Sequence, residues 1–275
     1  MIRDPTCLII PAAGLGTRMR SVNPSLPKEM LPLGGRPAIQ YAVEEGIQAG
    51  VDQVVIILRE EKEIIRSYFE GADLWRDLYP ETAAALEVLR NKSGLTFLIQ
   101  KRPLGECDAI LLAREEAAGG SVAILYPDNI YLPAPGVLEA LFACHRRSGG
   151  HVLALMEVGD ENKSCVSNSG RVDLEPLGEG LFRVKRFLAK GEGSFEPRYG
   201  TEYRACGISI AQSDYFQAIE DVARLAGEGE LTDEEVRRHM LERGTVFYGC
   251  SLPGRIYDVG NPPGYRLCRR SLRHA

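Results

Sequence analysis

A chain of 275 residues, 44% hydrophobic and 26% charged, can bury a sizeable core as one large α/β domain or two modest ones. Its net charge of -5 offers no basic footprint for nucleic acid, and no stretch is apolar for long enough to span a bilayer. Seven cysteines without a CxxC pair, four histidines without metal-ligand spacing and a Met-Ile-Arg-Asp-Pro start lacking a signal-peptide core read together as a cytoplasmic protein with reduced thiols.

The first predicted element is the apolar strand Leu8 to Pro11, which runs into a turn of Ala12, Ala13, Gly14 and Gly16. A turn with so little side chain lets backbone N–H groups close on a phosphate or a flat base. Thr17 then supplies a hydroxyl, and Arg18 and Lys28 supply positive charge, so the segment reads as a triphosphate site. A Rossmann fingerprint needs a third glycine and a later acid, and a P-loop needs Gly-Lys-Ser/Thr; this loop has neither. The bland alternative is a tight strand-to-helix turn, which leaves the two neighbouring cations unexplained.

A helix follows in which Ile39, Val43 and Ile47 share one face, opened near Pro37 and stopped by Gly50. Strand Val54 to Leu58, helix Glu61 to Phe69, a helical run between Gly71 and Lys92, and strands Phe97 to Gln100 and Val122 to Leu125 come next. β-branched runs alternating with helices up to about Gly150 predict a parallel sheet covered on both faces. Asp128 stands just past the last of these strands, on the edge where open α/β sheets bind ligands, although Pro-Asp-Asn is also an ordinary turn sequence.

Beyond Gly150 the strands lengthen and alternate: His151 to Val158, Arg171 to Leu174, Leu181 to Leu188 and Tyr203 to Ile210. Helices are predicted from Ser213 and from Thr232, the latter opened by Thr232 and Glu235 as a capping box. No linker composition separates the halves, so one domain over 1–275 is expected, its two patterns meeting at about Gly150.

The segments AAGLGTRM, PKEMLPL and PAIQYAVEEGIQAG resemble, in order, the sugar-phosphate nucleotidyltransferases, most closely the bacterial uridylyltransferases acting on glucose 1-phosphate. QKRPLGECDAILLA resembles that family's base-binding stretch, YPDNIYL its first metal-aspartate segment, and GELTDEEVRRHMLERG with GRIYDVGNPPGY its closing segments. The resemblance implies an α/β fold with a mostly parallel, Rossmann-like mixed central sheet flanked by helices, with a nucleotide-binding half over about 1–150 and a sugar-phosphate-binding half over about 151–275. It also implies transfer of a nucleotidyl group from a nucleoside triphosphate, UTP first, to a sugar 1-phosphate, glucose 1-phosphate first, by a homo-dimer or homo-tetramer using Mg2+.

Carried over residue by residue, Arg18, Lys28, Asp128 and Asp258 are the catalytic set, with Asp128 and Asp258 as Mg2+ ligands. Gln100 and Gly105 join the first loop at the base, since an amide can pair with a pyrimidine edge. Lys190, Gly170 and Gly207 fall at the sugar phosphate, although either glycine could simply mark a strand bend. Mg2+ prefers oxygen ligands and usually takes one or two carboxylates beside substrate phosphates, which two aspartates satisfy. The chain departs from the family pattern where Ala189, Lys190 and Gly191 replace Glu-Lys-Pro, where Asp108 replaces a histidine, and at Ser21 and Pro24. Asn129 follows the thymidylyltransferase pattern. These departures leave open dTTP or another nucleotide, a non-glucose or non-sugar phosphate acceptor, or a catalytically silent nucleotide-sugar regulator.

Overall fold

The computed structural model describes residues 2–71, 79, 94–226 and 229–273, so most of the helical run expected between Gly71 and Lys92 lies outside the described residues. Strand β1 (Cys7–Pro11) is buried along its whole length and pairs in parallel with β4 (Gln53–Leu58) on one side and β6 (Val122–Leu125) on the other. Such near-continuous apolar runs are what a strand covered on both faces requires. β5 (Gly94–Ile99) extends this parallel group beyond β4, starting earlier than the expected Phe97 because Gly94 and Leu95 already pair with Gln53 and Val54.

The remaining long strands are β8 (His151–Gly159), β9 (Val172–Gly178), β10 (Leu181–Phe187), β11 (Thr201–Ala211) and β12 (Phe247–Ser251). Together they complete one nine-stranded sheet in the order β5-β4-β1-β6-β11-β8-β12-β10-β9. Only β11 and β10 run against the other strands, which makes the sheet mixed but mostly parallel, as expected. β9 runs on to Gly178, past the expected Leu174, because antiparallel pairing with β10 carries it as far as the Gly178–Leu181 turn.

The strand pleat sorts the core. Leu8 and Ile10 point to the face covered by helices α1 (Ala38–Gln48), α2 (Glu63–Glu70) and α4 (Val137–Ser148). Cys7 and Ile9 point to the face covered by α3 (Glu106–Leu112), α5 (Asp214–Ala226) and α6 (Asp233–Glu242). Each fully buried Ile or Leu contributes about 1.5–3 kcal/mol. The helix expected from Glu61 opens instead as a 3-10 turn at Glu60–Lys62, where the Lys62 side chain folds inward beneath the first loop.

Two short strand pairs and a last helix were not foreseen. β2 (Pro32–Leu33) and β3 (Arg36–Pro37) form a hairpin through Gly34 and Gly35, both at positive φ, which that turn requires. β7 (Asn129–Leu132) pairs antiparallel with β13 (Arg255–Asp258), in a register that sets Asp258 opposite Asn129. Helix α7 (Pro262–Ser271), capped by Asn261, packs a third apolar cluster behind that ladder. The expectation of seven separate thiols is corrected: Cys144 on α4 and Cys250 on β12 are joined as a disulfide, while Cys7, Cys107, Cys165, Cys206 and Cys268 are free. No helix among the described residues is long and apolar enough to cross a membrane.

Candidate active site

At the carboxyl ends of the parallel strands lie two adjoining cavities, of about 420 and 560 Å3. The smaller is walled by Ala13, Gly14, Gly16, Thr17, Lys28, Gln100 and Gly105; the larger by Gly170, Ala189, Lys190, Arg204, Gly207 and Asp258. Arg18, Glu106, Tyr126 and Asp128 line both and form the passage between them.

The first loop explains the smaller cavity. Gly14 has open space where a Cβ would sit, and Gly16 takes φ +62, with the Lys28 stem 3.3 Å from its missing Cβ. Gly16 therefore both turns the chain and lets Lys28 pass beneath it. Ala12 does not reach the cavity: it is buried, its N–H donates to Ile57 and its carbonyl accepts from Lys62. Lys62 also donates 2.9 Å bonds to both oxygens of buried Glu29, a pair that pins the loop from below. Burial drives the Lys62 ammonium down from its ordinary pKa despite Glu29.

Gly105 is equally constrained. It takes φ +102, and a Cβ there would lie 2.5 Å from the backbone N and O of Leu231. The Gln100 amide nitrogen donates to the Gly105 carbonyl at 2.9 Å and to Asp108 at 2.7 Å. Its nitrogen is thus spent on the loop, leaving the side-chain oxygen as the group able to meet a base. Asp108, which stands where a histidine was expected, is what takes up that amide.

Asp128 and Asp258 lie 130 residues apart in sequence and are brought together by one short ladder. Asn129 pairs with Asp258 across β7 and β13, and the Val259 N–H donates to the Asp128 carbonyl at 2.8 Å. A Cβ on Gly260 would sit 2.5 Å from Asp128 Oδ2 and 3.3 Å from Asp258 Oδ1, so both carboxylates border the same small space. The Lys28 ammonium already holds Asp128 Oδ2 at 2.5 Å, a cation resident on that oxygen. Burial would push the Asp128 carboxyl up, but Lys28 and Arg18 hold it below its ordinary range, and Asp128 with Glu29 pushes the Lys28 ammonium up against its own burial. Asp258 is oriented by the Ser167 N–H at 3.1 Å, the Ser167 hydroxyl and the Gly260 N–H. Among the described residues no cluster of three or more His, Cys, Asp or Glu forms a complete metal cage. Two carboxylates facing one gap suit a hard cation that keeps room for other oxygens.

In the larger cavity, Gly170 takes φ +70 against the Ala205 carbonyl, and Gly207 lies where a Cβ would meet Tyr126 and Asn129 at 2.7–2.8 Å. Lys190 lines this cavity without an ion pair among the described residues. Four residues here escaped sequence reasoning: Glu106, Ser167, Arg204 and Asp233. Glu106 directly follows Gly105, and burial in the cleft together with Asp233 pushes its carboxyl up to about 7. Asp233, the residue after the N-cap Thr232 and inside the capping box, pairs with buried Arg237 at 2.8 Å. A charged Arg204 inside the apolar run of β11 was the one signal visible beforehand.

The family model for the Nucleotidyl transferase family matches residues 8–273. Two UTP–glucose-1-phosphate uridylyltransferases of Staphylococcus saprophyticus are 29% and 30% identical over 264 and 267 residues, covering 94% of this chain and 88% of each relative. Among solved structures, a UDP-glucose pyrophosphorylase complexed with UDP-glucose superposes with a TM-score of 0.80 over 100% of this chain and 99% of that one, at 24% identity. A second, described as a putative glucose-1-phosphate thymidylyltransferase from Bacillus anthracis, gives a TM-score of 0.72 at 20% identity and covers 98% of this chain and 95% of that one.

Proposed function

The chain belongs to the Nucleotidyl transferase family, and from that premise we propose that it transfers a uridylyl group from UTP to glucose 1-phosphate, with Mg2+, giving UDP-glucose and pyrophosphate. The observation that carries the reading is the convergence of Lys28, Arg18, Asp128 and Asp258 on the passage between two cavities. The names of the relatives support the choice of substrates.

Uniting two polyanions is the first obstacle. Two unit charges about 4 Å apart repel by about 4 kcal/mol at an effective dielectric near 20, and several such pairs meet here. An oxygen of the acceptor phosphate attacks the α-phosphorus, a new P–O bond forms, and the α–β bridging P–O bond breaks with its electron pair leaving on pyrophosphate. The attacking oxygen is already ionised, so no side chain has to remove a proton.

Arg18 neutralises the triphosphate from the passage, and the first loop lays its N–H groups along it. Lys28 leaves Asp128 for the triphosphate as the nucleotide enters. Bound between Asp128 and Asp258, Mg2+ would supply the positive charge that lets the α-phosphoryl accept the attack. Lys190 holds the acceptor from the other cavity. By analogy with the family, we place the enzyme in the cytoplasm as a homo-dimer or homo-tetramer.

Ala189 favours a second reading of the acceptor alone. It lines the larger cavity without the carboxylate that would accept from sugar hydroxyls, a loss that costs about 1–3 kcal/mol for a buried partner. Pyrophosphate release across a matrix of UTP and dTTP against glucose 1-phosphate, other sugar 1-phosphates and non-sugar phosphates tests both readings. Turnover led by UTP with glucose 1-phosphate bears out the first. A different leading pair replaces it with the second, and nucleotide binding without release defeats the transfer reading.

A further inference from the structure

Arg204 stands on β11 in the larger cavity and is only 5% exposed. Its Nε donates to the Ala205 carbonyl at 3.2 Å, and its Nη1 to the Ser167 carbonyl at 3.2 Å. The one carboxylate within ion-pair reach among the described residues is Asp258, 3.7 Å from Nη1, too far for a hydrogen bond and already engaged by Ser167 and Gly260. Nη2 has no hydrogen-bond partner among the described residues, and the guanidinium borders the cavity. Two neutral carbonyls and a shared, distant carboxylate leave a buried charge poorly compensated, which is costly unless a further anion completes the site. Arginine's planar fork fits a phosphate or carboxylate edge better than any other anionic surface.

The surroundings say which anion. Asp258, 3.7 Å from Nη1, places Arg204 at the end of the cavity nearest the two aspartates, and Lys190 lines the same space. We propose that Arg204 is a catalytic residue that donates through Nη2 to the acceptor's phosphate, forming a two-cation clamp with Lys190. Its place beside Asp258 sets the phosphate facing the metal carboxylates. The inference rests on the proposed transfer reaction and adds to it the group that orients the attacking oxygen.

The test is equilibrium binding of glucose 1-phosphate to protein holding Mg2+ and α,β-methylene-UTP, a nucleotide that cannot react, in wild type, Arg204→Lys and Arg204→Gln. The clamp predicts binding weaker by about tenfold or more in both variants. Affinity for the nucleotide analogue and the Mg2+ concentration for half-saturation stay within about twofold. Unchanged glucose 1-phosphate binding overturns the clamp, as does absence of binding by the wild type. A matching loss of Mg2+ affinity also overturns it, because Arg204 would then act through Asp258 as a positioning residue. Should the variants misfold, a crystal structure of the same wild-type complex decides: Nη2 within about 3.2 Å of a phosphate oxygen supports the clamp, and a separation beyond hydrogen-bond length overturns it. A wild type that binds through Arg204 yet releases no pyrophosphate from UTP itself would sink the transfer reading alone.

Discussion

Lys28 and Asp128 hold each other's charge at 2.5 Å, each with 18% of its side chain exposed, at the mouth where two phosphates are proposed to meet. Replacing either with alanine is predicted to lower turnover by about a hundredfold or more, as for other charge-stabilising groups, while the melting temperature shows that the fold survives. Near-normal pyrophosphate release in both variants would remove them from the chemistry. Their carboxyl neighbours respond to pH in opposite senses. Asp128, held below its ordinary 3.8, adds stability above that pH, which is lost as pH falls. Glu106 is raised from 4.5 to about 7, so the stability tied to its proton is full below 4.5 and lost as pH rises through 7. Glu106→Gln is therefore predicted to melt higher than wild type at pH 8 and alike at pH 4; equal melting at both would contradict the shift. Arg18 and Asp128 were legible in the sequence because each sits within a few residues of a strand end or a glycine turn, and Lys28 as the second cation following the first loop and through the resemblance of PKEMLPL. Glu106 and Arg204 were not, since what singles them out is the company that other strands and helices bring.

Short elements do the placing. The β7–β13 ladder is only four residues long on each side, yet its register alone makes neighbours of Asp128 and Asp258. No local pattern announces a pairing across that span, so Asp258 was readable only through resemblance, whereas β1, β4 and β6 declared themselves by unbroken apolar runs. Gly105 is a second such placement: alanine there would drive a Cβ into the Leu231 backbone from a φ that alanine rarely adopts. Gly105→Ala is predicted to weaken nucleotide binding by more than tenfold while Lys190-side acceptor binding is spared, read by titration with each ligand. The capping box at Thr232, foreseen from Thr232 and Glu235, is present in both directions. Thr232→Ala should cost about 1 kcal/mol, a fall in melting temperature of about 2–4 °C for a chain of this size; no change would mean that α6 is held by packing alone.

At the scale of the whole molecule, one sheet carries both cavities. The parallel group β5-β4-β1-β6 brings the first loop to its carboxyl edge, and β11 joins that group directly to the strands that line the larger cavity. Because β6 and β11 are hydrogen-bonded neighbours, the passage at Asp128 is fixed by the sheet itself and needs no hinge to assemble it. That arrangement makes the central claim a simple one: a phosphate entering each side meets the other at Asp128. The measurement that tests it most directly is pyrophosphate release by the purified wild-type protein given UTP, glucose 1-phosphate and Mg2+, beside Asp128→Ala. Release that needs both substrates and collapses in the variant is the result predicted; no release by a folded wild type that binds UTP, or release that survives the loss of Asp128, would contradict it.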